Sequence, residues 1–239
     1  MPTSAGCSGV PDLGPLLASG RDADVFAYGP DLVVRRSRIG RSMEREARVM
    51  SYLADHGYPA PRVETVRADG SELVMERIDG PTMLQELSRR PWTLHDNAAR
   101  LATLHQRLHE IPAPDWLHPF PDGGDGIVHL DLHPLNVILS PRGPVLIDWT
   151  NAARGAGPLD VALTWLLMTA AVLTHGRVRA IVDRVLRTMF VRSFLAHFDL
   201  APVRTVLPAV AAWKSRDRNI QPGEVAAMQR LLTRQSSRR

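Results

Sequence analysis

The chain has 239 residues, 44% hydrophobic, 23% charged and only 5% aromatic, with a formal net charge of +4. That is apolar material for one large domain or two small ones, and it argues against a disordered or fibrous protein. A lone cysteine, Cys7, excludes an internal disulfide and fits a reducing, cytoplasmic setting, and no apolar run near Met1 has the form of a signal peptide.

Residues 13–19, 25–28 and 32–36 are short apolar-rich runs separated by Gly20, Gly29-Pro30 and Asp31, the punctuation of antiparallel strands. From residue 42 to 56 the period becomes helical. Met43, Ala47, Met50, Leu53 and Ala54 share one arc, and Gly57 and Pro59 supply the stop. Glu46 lies on that apolar arc whereas Glu44 falls on the polar side, so Glu46 needs a cationic partner. Residues 62–66 and 72–78, joined across Asp69-Gly70, read as a hairpin. Residues 1–78 are therefore expected to form a five-stranded antiparallel sheet with one helix.

After Gly80-Pro81 the pattern is mainly helical. Thr82 and Thr93 are each placed to start a helix with a side-chain acceptor, and Leu94, Ala98, Leu101, Leu104 and Leu108 give an apolar stripe. Residues 111–126 hold four prolines and three glycines and must be loop. Helices are expected over 159–174, 178–196, 202–212 and 223–234. The apolar stretch 161–173 is too short to cross a bilayer and contains two threonines, so it reads as a buried helix and no membrane span is expected.

Charge is uneven. Residues 1–150 carry 15 Lys+Arg against 20 Asp+Glu, and residues 151–239 carry 14 against 5. The late arginines fall at helical spacing with apolar residues between them, which suits solvated helix faces. With so few aromatic residues no nucleic-acid partner is expected. The chain has one lysine, Lys214, so any cation the first unit uses must be arginine.

The densest chemistry lies between these regions. His129-Leu130-Asp131-Leu132-His133-Pro134-Leu135-Asn136 is followed by an apolar run, a Pro141-Arg142-Gly143 turn, a second apolar run and Asp148-Trp149. The hairpin that this spacing implies would carry Asp148 back beside Asn136. Two carboxylates and an amide are hard oxygen ligands for magnesium plus a base for a hydroxyl, and phosphoryl transfer needs little more than these. Competing chemistries lack their patterns: there is no GxxxxGK[ST] loop, no GxSxG elbow and no zinc-ligand spacing.

The HxDxxxxN loop with DW downstream, and the order of pieces over most of residues 10–165, resembles the aminoglycoside phosphotransferase and choline kinase type of small-molecule kinase, with its protein-kinase-like fold. The resemblance implies a two-lobed α+β protein. Residues 1–78 would be a nucleotide-binding lobe, and residues 79–239 a larger, mainly helical lobe for catalysis and substrate, with ATP and Mg2+ bound near residue 78. It makes Asp131 the catalytic base and Asn136 and Asp148 the metal ligands. It also makes Arg35, or its neighbour Arg36, the phosphate clamp held by Glu46, puts Gly20 in the loop over the phosphates, and makes Met75, Glu76 and Ile78 the hinge that meets adenine. His129 and Asp160 would brace the catalytic loop. His133 stands where protein kinases usually place lysine, and no room is left after Asp148 for a long activation loop, so the expected acceptor is a small-molecule hydroxyl. The scarcity of carboxylates after Asp148 suits a neutral or anionic metabolite at least as well as a polycationic aminoglycoside, with Glu110, Asp122 and Asp125 the nearest supply. The alternatives are a kinase-like nucleotide-binding protein without turnover, an atypical protein kinase and a basic anion-binding module.

Overall fold

A computed structural model describes residues 13–20, 22–121, 123–170, 177–217, 220 and 222–236, so Cys7 lies outside the described residues. The chain divides into two compact units, residues 1–78 and 79–239.

In the first unit, β1 (Leu16–Ser19), β2 (Ala23–Tyr28), β3 (Leu32–Ser37), β4 (Val63–Arg67) and β5 (Glu72–Glu76) make one antiparallel sheet in the order β1-β2-β3-β5-β4. Between β3 and β4 runs α1 (Glu44–Asp55). Tyr28, Val34 and Val74 are buried together on one face, with Leu13 and Leu32 packed beside them. The helix buries Glu46, Ala47, Val49, Met50 and Leu53. Ala54, expected on the buried arc, is exposed because that arc ends at Leu53 and Ala54 sits in the last turn. The strand ends at Glu76 rather than Ile78, and the Arg77 N–H, donating to Asp31 O (2.8 Å), carries the pairing with β3 only one residue further.

The second unit begins with α2 (Met83–Arg89), which starts in a capping box: Thr82 Oγ1 accepts from Gln85 N (3.2 Å) and Gln85 Oε1 accepts from Thr82 N (2.9 Å). Thr93 precedes α3 (Leu94–His109) but does not cap it. Its hydroxyl donates to Arg90 O (2.7 Å) and accepts from Asn97 Nδ2 (2.9 Å), because residues 91–93 form a 3-10 turn that spends the hydroxyl backwards. The stripe Leu94, Ala98, Leu101, Leu104 and Leu108 is buried. Two small antiparallel pairs follow, β6 (Gly126–Val128) with β9 (Ala153–Gly155), and β7 (Val137–Ser140) with β8 (Gly143–Leu146).

The last four helices are α4 (Gly157–Ala170), α5 (Arg177–Leu195), α6 (Leu200–Lys214) and α7 (Pro222–Ser236). The expected helix 159–174 is described only to Ala170, the residues beyond it lying outside the described set until Arg177. All residues from 159 to 166 are buried, and α4 packs against α3, α5, α6 and α7, so the unbroken apolar run marks the centre of this unit. Among the described residues no helix is long and apolar enough to cross a membrane.

Gly80 fixes the entry to this unit. Its φ is +147°, a Cβ there would overlap the Leu139 carbonyl, and Leu139 N donates to Pro81 O (2.9 Å) next to the Thr82–Ile138 bridge. Gly80→Ala should lower unfolding free energy by about 1–3 kcal/mol in urea titrations. An unchanged midpoint would show that the segment relaxes freely.

Candidate active site

Site construction begins with β6 and β9. Pairing Val128 with Ala153 closes the ends of residues 129–152, and β7–β8 forms a hairpin within them. At the base of the first loop Asp160, in the first turn of α4, is fully buried and accepts the backbone N–H groups of His129 (2.7 Å) and Leu130 (2.6 Å) on its two oxygens. Those two bonds hold Leu130 in the left-handed region, at φ +58°, a conformation costing on the order of 1–3 kcal/mol for a side chain of this kind. The turn points Asp131 out of the core, and its side chain is 23% exposed.

Asn136 closes the same loop. Its Nδ2 donates to the Asp131 backbone O (2.9 Å) and to Asp131 Oδ2 (3.1 Å), which leaves the amide Oδ1 to face elsewhere. Asp131 Oδ1 lies 3.4 Å from His133 Nε2. The Ile147 N–H donates to Asn136 O (2.9 Å), extending the β7–β8 register by one pair and setting Asp148 one residue beyond Asn136's partner. Asp148 is itself left-handed, at φ +66°, and its Oδ1 accepts from Thr150 Oγ1 (2.9 Å).

His129 sits beneath all of this. It is fully buried, its Nε2 donates to Ile147 O (3.1 Å), and its ring lies 4.6 Å from that of Trp149. Burial lowers its pKa while the charges of Asp160, Asp131 and Asp148 act to raise it, so a neutral imidazole ties the first loop to the strand end that carries Asp148. His129 is a brace rather than a reactant. Burial works to raise the Asp131 carboxyl, and the hydrogen bond and charge of His133, with the charge of Lys214, outweigh it and hold the group below its ordinary value. Asp131 is thus a weak base suited to orienting a hydroxyl and taking its proton late.

In the first unit Arg35 and Arg36 point to opposite faces of β3, as alternation requires. Arg35 Nη1 meets Glu46 Oε1 at 2.5 Å, and both side chains are largely buried. Arg36 Nε instead meets Glu72 Oε1 (2.6 Å), which also binds Arg67 through Oε2 (2.7 Å). The resemblance left both Arg35 and Arg36 open as the partner of Glu46, and it is Arg35 that pairs with it. Gly20 donates to Ala23 O (2.9 Å) and accepts from Arg38 Nη1 (3.0 Å), while Arg21 lies outside the described residues. Met75 and Glu76 are in β5, opposite Val33 and Leu32, with Ile78 just past its end. Glu110 and Asp125 are exposed, and Asp122 lies outside the described residues.

Sequence reasoning missed three supporting residues. Thr164 Oγ1 donates to Leu132 O and sits 3.2 Å from His105 Nε2, fixing the loop's far side to α4 and α3. The third is Lys214, whose charge reaches Asp131 from 83 positions away, with no local pattern to announce it. His105 and His109, one helical turn apart, also form a group with Asp160 whose ligand atoms lie within 4.8 Å of one another, although the sequence shows no zinc spacing. Asp160's oxygens are committed to backbone N–H groups, so this group is a polar brace.

The sequence profile of the phosphotransferase enzyme family (APH) matches residues 14–125 and 77–204. The chain belongs to this APH phosphotransferase family. No curated protein matches the sequence. Among solved structures, aminoglycoside phosphotransferase APH(4)-Ia superposes with a TM-score of 0.64 at 14% identity, covering 95% of this chain and 93% of that one. The ADP-bound aminoglycoside phosphotransferase APH(2'')-Ib gives 0.61 at 16% identity, covering 94% and 93%. A choline/ethanolamine kinase family protein from Mesorhizobium loti gives 0.57 at 15%, covering 98% and 89%. At such identities the likeness establishes the fold, the protein-kinase-like α+β architecture of this family.

The brace has a pH signature. Burial pushes the His105 pKa down to about 3, and Asp160, whose burial is outweighed by the His109 hydrogen bond and the histidine charges, is held at about 2. Unfolding therefore takes up a proton at His105 below about pH 6.5, and at Asp160 below about pH 4, so stability falls with acid through both ranges. The His105 share is on the order of 4 kcal/mol between pH 6.5 and 3. In urea titrations at stepped pH, His105→Gln should flatten the decline between pH 6.5 and 4 relative to wild type. Parallel declines would contradict a neutral buried His105.

Proposed function

We propose that this APH-family chain transfers the γ-phosphoryl group of ATP, with Mg2+, to a hydroxyl of a small molecule. The observation that carries the reading is the Asn136 amide clasping Asp131 within a loop whose last residue is hydrogen-bonded to the neighbour of Asp148. The acceptor oxygen forms the new P–O bond, the bond from the γ-phosphorus to the β–γ bridging oxygen breaks, and ADP leaves. The acceptor's proton passes to the Asp131 carboxylate and then to solvent.

The donors suit magnesium. Asn136 Oδ1 and the Asp148 carboxylate are hard oxygens on a rigid hairpin, and an ion held there would offset charge on the phosphates. In the first unit Arg35, with Glu46 fixing its guanidinium, supplies the planar fork that phosphate oxygens accept. Gly20 lets backbone approach the phosphates, and the backbone of Met75, Glu76 and Ile78 is offered to the adenine ring. A structurally similar APH(4)-Ia mutant is a ternary complex with ADP and hygromycin B, which supports nucleotide binding by this fold. The reducing setting suggested by one cysteine fits a cytoplasmic enzyme.

Asp131→Asn should cut phosphoryl transfer from labelled ATP about a thousandfold or more, with nucleotide affinity nearly unchanged. Turnover at a similar rate would remove Asp131 from the role of base. For Asp148→Ala the expected loss is in magnesium-dependent nucleotide binding, read by calorimetry with and without Mg2+, and wild-type MgATP affinity in that variant would contradict the metal role.

A further inference from the structure

The turn that joins β1 to β2, from Gly20 to Ala23, holds a single glycine. None of its described residues, Gly20, Asp22 and Ala23, has a positive φ, so left-handed backbone at those positions does not shape it. Gly20 N donates to Ala23 O (2.9 Å), and a Cβ at Gly20 would lie 3.1 Å from that same oxygen. The rest of the turn's support comes from one side chain beyond the end of β3.

That side chain is Arg38. Its backbone N–H donates to Asp22 O (2.8 Å), one step past the Ser37–Ala23 pair of the β2–β3 ladder. The side chain then crosses β2 to the start of the turn, where Nη1 donates to Gly20 O (3.0 Å). On the way Nε meets Asp24 Oδ2 at 3.1 Å, and the other oxygen of Asp24 accepts from Ser19 Oγ (2.7 Å). Ser19 and Asp24 face each other in the β1–β2 register. One arginine thus straps together both strands of the hairpin and the first and third residues of its turn.

The register also gives the face on which the strap lies. Ser19, Asp24 and Arg36 are aligned across β1, β2 and β3, and Arg38, two residues beyond Arg36, returns to the same face. Arg35, aligned with Val25 and Ala18, is on the other face, where it pairs with Glu46. The strap therefore backs the turn from the side opposite the guanidinium that Glu46 holds. Arg38 acts through the backbone it fixes and leaves the Arg35 side of the turn clear.

Building on the phosphotransferase reading, which sets this turn over the phosphates, we infer that Arg38 is a positioning residue for the nucleotide. With Asp24 and Ser19 it holds the turn in the shape that meets the phosphates, a task for which this chain does not use a run of glycines. Holding the turn in advance lowers the ordering cost that binding carries. The Arg38 side chain is 50% exposed, and exposed ion pairs contribute little alone, so the effect is modest and confined to phosphate-bearing ligands.

Calorimetry on the full chain with ATP, ADP and adenosine, each in Mg2+, tests this. Arg38→Met, which keeps the apolar stem and loses the guanidinium, should bind ATP and ADP about fivefold more weakly than the wild type, with adenosine affinity within about twofold. Asp24→Asn cuts the same strap from β2 and should give the same pattern. Arg38→Lys keeps the charge but not the fork that reaches Asp24 and Gly20 O together, so it should resemble Arg38→Met. In turnover with labelled ATP, the KM for ATP should rise by the same factor in Arg38→Met and kcat should hold. Wild-type ATP affinity in Arg38→Met overturns the inference. So does an equal loss for adenosine, which would mark general damage to the first unit, or full rescue by Arg38→Lys, which would mark charge rather than geometry. A wild type that binds none of the three ligands overturns the phosphotransferase reading itself, and this inference with it.

Discussion

One buried carboxylate organises the second unit of this protein. Asp160 receives two backbone N–H groups in succession, and a chain that donates twice in a row to one carboxylate must curl. The left-handed Leu130 is the cost of that curl, and the outward-facing Asp131 is its result. Charge-assisted bonds of this kind contribute about 1.5–3 kcal/mol each, enough to outweigh the strain at one residue. Because Asp160 is in the first turn of the most deeply buried helix, the loop inherits that helix's rigidity. His129, Thr164 and the Asn136 amide then tie the remaining sides, each to a backbone carbonyl: Ile147, Leu132 and Asp131.

Much of this was legible in the sequence because it is encoded locally. Strand breaks at Gly20 and Gly29-Pro30, the helical arc around Met50, and the run-turn-run between Val137 and Ile147 are short-range patterns, and the structure follows them. Glu46 was found by asking which acidic residue a helical wheel turns inward. What stayed hidden was set by neighbours distant in the chain. Thr93 loses its capping role to a preceding 3-10 turn, and Ala54 lies past the end of the buried arc. His105, Thr164 and Lys214 acquire their roles only when α3, α4 and α6 come together around the loop, and no spacing rule reaches across such separations.

Electrostatics divides the work between the units. In the first, a buried Arg35–Glu46 pair fixes one guanidinium, and the other face of the sheet gathers Arg36, Glu72 and Arg67 beside Tyr28. Breaking such a pair on one side leaves a charge stranded, which is why geometry of this kind is held so firmly. In the second, Asp131 and Asp148 lie around a neutral imidazole, and His133 stands 3.4 Å from Asp131. Membership of the APH phosphotransferase family agrees with the reading of two carboxylates and an amide as a phosphoryl-transfer set.

The central proposition is that Asn136 and Asp148 share one divalent ion. A crystal of the full chain grown with ADP and Mn2+, examined by anomalous scattering, addresses it directly. The expected result is a manganese peak at about 2.1 Å from Asn136 Oδ1 and an Asp148 carboxylate oxygen, and also in contact with the nucleotide phosphates. Bound ADP with manganese absent from those two side chains, or held elsewhere, would contradict it.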